Sequence, residues 1–287
     1  MVADLVRQVG GDQVNVIQIC GTGVDPHLYK PTRDDVQQIL NADIVFYSGL
    51  MLEGKMTDTL EKVGRTRTVV AVTEKLESSL LLTAGEEGHS FDPHVWMDVS
   101  AWNSCVPVIE RALATAVPDH AEEFQRSGAV LRDQLAELHA YGQTALGSVP
   151  QENRVLVTSH DAFRYFGRAY DLEVQGIQGI STESESGLQR INELANLLVS
   201  RKVRAVFVET SVSRRNIEAL LEGVQAGGHS ISIGGELFSD AMGEAGTYEG
   251  TYIGMLDHNI TTVARALGGT VPENGLHGKL SPPDAGR

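Results

Sequence analysis

The sequence is poor in several things that would each point to a class of protein. It has only two cysteines, Cys20 and Cys105. That is too few for a disulfide scaffold or a four-cysteine zinc site, and the two could pair or stay free. Basic residues are scarce: Lys plus Arg is 23 against 38 for Asp plus Glu, a net charge of −15. A surface this acidic excludes nucleic acid as a partner, because little could displace the counterions of a phosphate backbone. It is compatible with a cationic ligand. No apolar run approaches the ~20 residues of a membrane-spanning helix. The ready-made catalytic motifs are missing too: there is no G-x-S-x-G elbow and no H-E-x-x-H helix. Ser159-His160-Asp161 sets three triad residue types side by side, but neighbours on an extended chain point to opposite faces.

What is present is an alternation of strands and helices. Apolar β-branched runs at 13–20, 43–48 and 68–73 form one series. Runs at 154–158, 173–180, 205–209 and 231–233 form a second. Strands separated by helices indicate parallel sheets in an α/β fold, and near-continuous apolar strands indicate sheets covered on both faces. Between the two series, Phe124, Leu131, Leu135, Leu138 and Ala145 keep to one helical face. The spacing predicts a helix over about 119–146, with Asp119 as N-cap and a length of roughly 42 Å. Gly128 and Gly142 are expected to weaken it by roughly 1 kcal/mol each. Such a helix divides the chain into a first lobe (1–118), a connecting spine (119–148) and a second lobe (149–268); one larger sheet is the alternative. Residues 269–287, rich in Gly and Pro, read as a loosely held tail. Met1, Val2, Leu5, Val6 and Val9 recur at helical spacing, so the chain opens inside a helix.

Ligands of open α/β sheets bind beyond the carboxyl ends of the strands. Asp-Pro-His occurs there twice, ending in His27 and His94. Proline fixes its own φ and holds the residue before it extended, which stiffens both loops. Gly21 and Gly23 resemble a dinucleotide loop only faintly, since Pro26 stands where a third glycine is needed. The second series supplies His160 after its first strand and Asp240 after its last. Three imidazoles and one carboxylate suit Zn²⁺, Mn²⁺, Fe²⁺ or Co²⁺. Their separations of 67, 66 and 80 residues match no short metal motif. Structural histidines at strand ends are therefore the alternative. His89, His120, His139, His229, His258 and His277 read as structural or surface residues. If the three histidines instead held a catalytic metal, Glu209 is the candidate general base for a metallohydrolase. With four protein ligands, however, no position stays open for a substrate.

Four ordered segments carry a family resemblance. They are GVDPHLYKPTRDDVQQILNADIVFYSGLMLEG (23–54), FDPHVWMD (91–98), VTSHDAFRYFGRAYDLEVQGIQGIST (157–182) and GELFSDAMGEAGTYEGTYIGMLDHNITTV (235–263). In these the chain resembles the metal-specific solute-binding proteins of bacterial ABC importers, the zinc and manganese receptors of the TroA/ZnuA type, over roughly 1–268. The resemblance implies two lobes, each a four-stranded, mostly parallel sheet with flanking helices, joined by one long rigid helix. It implies a metal held between them by His27, His94, His160 and Asp240, one Zn²⁺ or Mn²⁺ per chain as transported ligand. It also implies a monomer, a membrane permease as partner, and a periplasmic or surface-anchored location. Manganese-dedicated members carry Glu at the position of His160, and zinc-dedicated members a His-rich loop near 83–91. Here that loop is short, with His89 alone. The family further has a signal peptide and a strand ahead of the helix at Met1, so the first sheet is expected to lack a member. Cys20 follows strand-like residues and does not read as a lipidation site. A metal-bridged adhesin is a third class compatible with the same site.

Overall fold

The computed structural model describes residues 1–85, 90–184 and 186–281. His89 lies outside them. The first half runs α1 (Val2–Gly10), α2 (Arg33–Asn41), β1 (Ile44–Tyr47), α3 (Thr57–Gly64), β2 (Thr68–Ala71), α4 (Val99–Asn103) and α5 (Val106–Ala116). The long α6 (Ala121–Gly147) follows. The second half is β3 (Val155–Thr158), α7 (Arg164–Tyr170), β4 (Glu173–Gly176), α8 (Leu188–Arg201), β5 (Ala205–Glu209), α9 (Arg215–Ala226), β6 (Ser232–Leu237) and α10 (Tyr252–Ala266). Among the described residues no helix is long and apolar enough to cross a membrane.

All strand pairs are parallel, as the alternation required, but ladders join two strands each: β1–β2, β3–β4 and β5–β6. In the second half β3 lies beside β5, so four strands stand in the order β4-β3-β5-β6. The first half has fewer. The run expected as a strand at 13–20 is extended at Val14 but joins no ladder. A cavity of about 650 Å³, lined by Val14, Val16 and Gln18 on one side and Ile44 and Phe46 on the other, separates it from β1. Paired strands must approach to ~4.8 Å, so β-branched composition alone could not make this segment a strand.

The expected spine is present and slightly shorter. A 3₁₀ turn (Pro118–His120) precedes α6, and His120, not Asp119, occupies the N-cap without a side-chain cap. Its buried face carries Phe124, Leu131, Leu135, Leu138 and Ala145. The two glycines act as contact points: a Cβ on Gly128 would strike the Glu110 carboxylate, and one on Gly142 would come within 2.6 Å of the Tyr170 ring. Intrinsic propensity made them look like weaknesses, whereas packing explains them.

One apolar core runs through α6 and binds both halves. It includes Leu5 and Val9 of α1, Trp96, Trp102, Phe163, Phe166 and Tyr252. A second core fills the space between β3 and β5 and helices α8 and α9. Polar ties cross the same interface. Tyr252 donates its hydroxyl to Trp96 O (2.7 Å), Trp96 Nε1 donates to Ser239 O (2.9 Å), and Asp4 accepts the Tyr252 amide (2.9 Å). The expected loose tail is held as far as it is described. Buried Asp257 accepts the Leu276 amide, Arg265 donates to Glu273 O (2.7 Å), and Leu280 is buried. Its Gly and Pro content set up turns rather than disorder; residues 282–287 lie outside the described part.

Candidate metal centre

Both Asp-Pro-His segments close by the same local device. Asp25 Oδ1 accepts the His27 amide (2.8 Å) and Asp92 Oδ1 accepts the His94 amide (3.0 Å). Each is a side-chain turn of the kind aspartate favours, and the intervening proline stiffens it. His160 leaves the end of β3, where its amide donates to Glu209 Oε1 at the end of β5 (2.9 Å). Asp240 follows β6, beside Ser239, whose carbonyl is held by Trp96.

These four loops bring one atom each to a common point. His27 Nε2 lies 3.2 Å from His94 Nε2. Asp240 oxygens lie 3.2 Å from His160 Nε2, 3.5 Å from His94 Nε2 and 3.9 Å from His27 Nε2. The four ligand atoms all fall within 4.8 Å of one another, and all four residues are buried. A tetrahedral shell with metal–ligand bonds near 2.05 Å would set its ligand atoms about 3.3 Å apart. Both Asp240 oxygens and His160 Nε2 are buried without a hydrogen bond. Buried polar atoms normally find a partner, and open atoms on Asp240 and His160 that face the Nε2 atoms of His27 and His94 fit a cation between them.

The electrostatics are those of a cation site. Burial pushes Asp240 up, but His160 and His94 outweigh it and hold its carboxyl well below the usual range. Burial pushes His94 down, yet the Asp240 and Asp92 carboxylates overcome it and raise the ring to about 9. His160 rises well above its ordinary value for the same reason: burial opposes, and Glu209 and Asp240 prevail. His27 is lowered, with burial dominant over the pull of Asp240.

The four residues that the sequence analysis singled out converge here, but that analysis missed what holds them. Asp92 Oδ1 also accepts His94 Nδ1 (2.7 Å), and Glu209 Oε2 accepts His160 Nδ1 (2.5 Å). Asp92 carried a signal, since it sits in the repeated motif. Glu209 carried none, being 49 residues from its partner. With both oxygens engaged by His160, Glu209 is not free to activate water, so the metallohydrolase reading loses its base. The other histidines stand apart. His120 pairs with Glu123 (3.1 Å), a partner the sequence did not reveal, His139 faces Tyr170, and His229 and His258 meet the carbonyls of Val203 and Glu236. His277 is exposed, and Cys20 and Cys105 are unpaired.

Comparison with known proteins gives this arrangement a context. Residues 1–266 match the family described as ZnuA, zinc-uptake complex component A, periplasmic. The chain belongs to this family. Over 266 residues it is 46% identical to the manganese-binding lipoprotein MntA of Bacillus subtilis, covering 93% of this chain and 87% of that protein. It is 47% identical over 267 residues to the zinc-binding protein TroA of Treponema pallidum, covering 93% and 86%. The solved structure of periplasmic zinc-binding TroA from Treponema pallidum superposes with a TM-score of 0.91, covering 93% of this chain and 96% of that one. The fold read from the sequence, parallel α/β halves about a long helix, is therefore that of a ZnuA-family member.

Proposed function

We propose that the chain captures one divalent transition-metal ion, Zn²⁺ or Mn²⁺, between the lobes 1–118 and 149–268. In this reading His27, His94, His160 and Asp240 are its ligands. The carrier works outside the cytoplasm as a monomer and hands the ion to the membrane permease of an ABC importer. The observation that supports it most is the convergence of four buried ligand-type residues, with both Asp240 oxygens and His160 Nε2 left without a hydrogen bond. The relatives named for manganese and zinc support the choice of cargo.

The site suits capture better than catalysis. Four protein ligands complete a shell that a catalytic zinc centre leaves open for substrate. Soft sulfur is absent from the cluster, which favours borderline and harder ions. Entry of the ion exchanges protons for metal on the histidines, and Asp240 supplies the one anionic bond. The core that runs through α6 into both halves opposes a wide hinge motion, so release proceeds by shifts of the ligand loops.

Titration calorimetry with Zn²⁺ and Mn²⁺ on metal-stripped protein tests the reading. Saturation near one equivalent, with a higher melting temperature, is expected, because an ion that binds only the folded state stabilises it. Several equal sites, or no thermal shift, would refute it.

A further inference from the structure

The three histidines are not held alike. His94 is fixed at two points by one carboxylate, its amide and its Nδ1 both meeting Asp92 Oδ1 (3.0 and 2.7 Å). His160 is fixed at two points by Glu209, amide to Oε1 (2.9 Å) and Nδ1 to Oε2 (2.5 Å). Both rings are fully buried, and His94 packs edge-on against Trp96. Beyond its Nε2 contact with His94, His27 has only the amide contact to Asp25; among the described residues no carboxylate meets its Nδ1. Its ring is also the ligand side chain that keeps some exposure, 5% against 0% for the other three.

The loop that carries His27 is tied differently as well. The second oxygen of Asp25 accepts the hydroxyl of Thr182, from the other half of the chain (2.5 Å). Thr22 donates to Gly243 O (3.1 Å), and the half-exposed pair Lys55–Glu183 spans the same rim (2.5 Å). The rest of the interface, around His94, is closed by buried Trp96, Tyr165 and Tyr252. Few and partly exposed contacts open before buried ones do.

We propose that Asp92 and Glu209 are positioning residues that lock His94 and His160, leaving His27 as the ligand through which the ion enters and leaves. A ring whose second nitrogen is held cannot swing off the metal without breaking that bond. His94 and His160, each held by a carboxylate, and the fully buried carboxylate of Asp240 thus form a three-ligand cradle. His27 closes it, and the Thr182 hydroxyl, acting through Asp25, holds the closed loop.

The proposal rests on the metal-capture reading, and the experiment separates the two. The full chain is loaded with Co²⁺, whose visible absorption reports coordination number, and release into excess chelator is followed by stopped flow. Thr182→Val is expected to leave the Co²⁺ spectrum unchanged and to speed release about fivefold, the effect of one lost hydrogen bond. His27→Ala is expected to keep Co²⁺ with weakened bands, as water fills the fourth position, and to release it fast. Glu209→Gln and Asp92→Asn are expected to lower affinity ~10–100-fold, with Glu209→Ala worse than Glu209→Gln because the amide oxygen can still orient the ring. Release from Thr182→Val at the wild-type rate would overturn the proposal, as would His27→Ala losing Co²⁺ while His160→Ala retains it. Wild-type protein that takes up no Co²⁺ would instead overturn the capture reading itself.

Discussion

Lowering the pH should weaken metal binding earlier and more steeply than free imidazole would suggest. Unperturbed histidines, with a pKa of ~6.5, would lose the ion only below about pH 6. In the ion-free site, however, the neighbouring carboxylates raise His94 to about 9 and His160 well above its ordinary value, against the opposing effect of burial. Both rings therefore carry a proton at pH 7, while burial keeps His27 neutral. A ring must shed its Nε2 proton to bind metal, so entry of one ion expels about two protons. Affinity then changes by about a decade per pH unit for each ring protonated in the ion-free site, and the His94 ring alone makes that roughly 10²-fold between pH 8 and pH 6. The sign follows from the raised values: protons held in the ion-free state compete with the metal, and affinity climbs as pH rises. Calorimetry at pH 7 in buffers of different ionisation enthalpy counts the released protons directly. A count near zero, or an affinity flat from pH 8 to 6, would refute the reasoning and remove the carboxylate-braced histidines from the site.

The same raised His94 value stabilises the ion-free fold below its unfolded value and ceases to do so as pH rises through about 9, so the melting temperature of stripped protein should fall between pH 7 and 9.5. A flat profile would contradict this. Zn²⁺ should bind more tightly than Mn²⁺, and His160→Glu should narrow the gap, because a harder oxygen donor replaces an imidazole; competition titrations that favour Mn²⁺ in the wild type would count against the ligand set. Asp240→Ala should weaken both ions by at least the ~10–100-fold that losing an outer partner costs, and Mn²⁺ most, measured by calorimetry. Unchanged affinities would take Asp240 out of the shell. Gly142→Val should lower stability by about 1–3 kcal/mol in a denaturant titration, since its side chain would be driven into Tyr170. Wild-type stability would show that α6 and α7 can separate at no cost.

The long helix was legible because it repeats one signal over many residues. Phe124, Leu131, Leu135, Leu138 and Ala145 all point the same way, and all are buried. Strands were legible in kind but not in pairing. Val155–Thr158 and Ala205–Glu209 are buried throughout, and their apolar runs said so. The run Val14–Ile19 has the same local character, yet a ladder needs a second edge within reach, and that is a property of distant chain. The tail failed for a related reason: what holds it is Asp257 on α10, which no local composition could announce.

The site divides along the same line. Asp-Pro-His is a local device, an aspartate capping its own turn around a proline, so two of the four converging residues could be read from their neighbours. His160 and Asp240 were reached through topology, as residues just beyond strand ends. The grip of Glu209 on His160 could not be read at all, because it exists only when β3 and β5 lie side by side. That adjacency also makes the site what it is. A carboxylate delivered by one strand to a histidine on the next needs no loop to hold it in place. If the site takes an ion as proposed, the ring so fixed costs less to organise, and what must move for exchange is confined to the loop of His27, whose ring no carboxylate among the described residues holds at Nδ1.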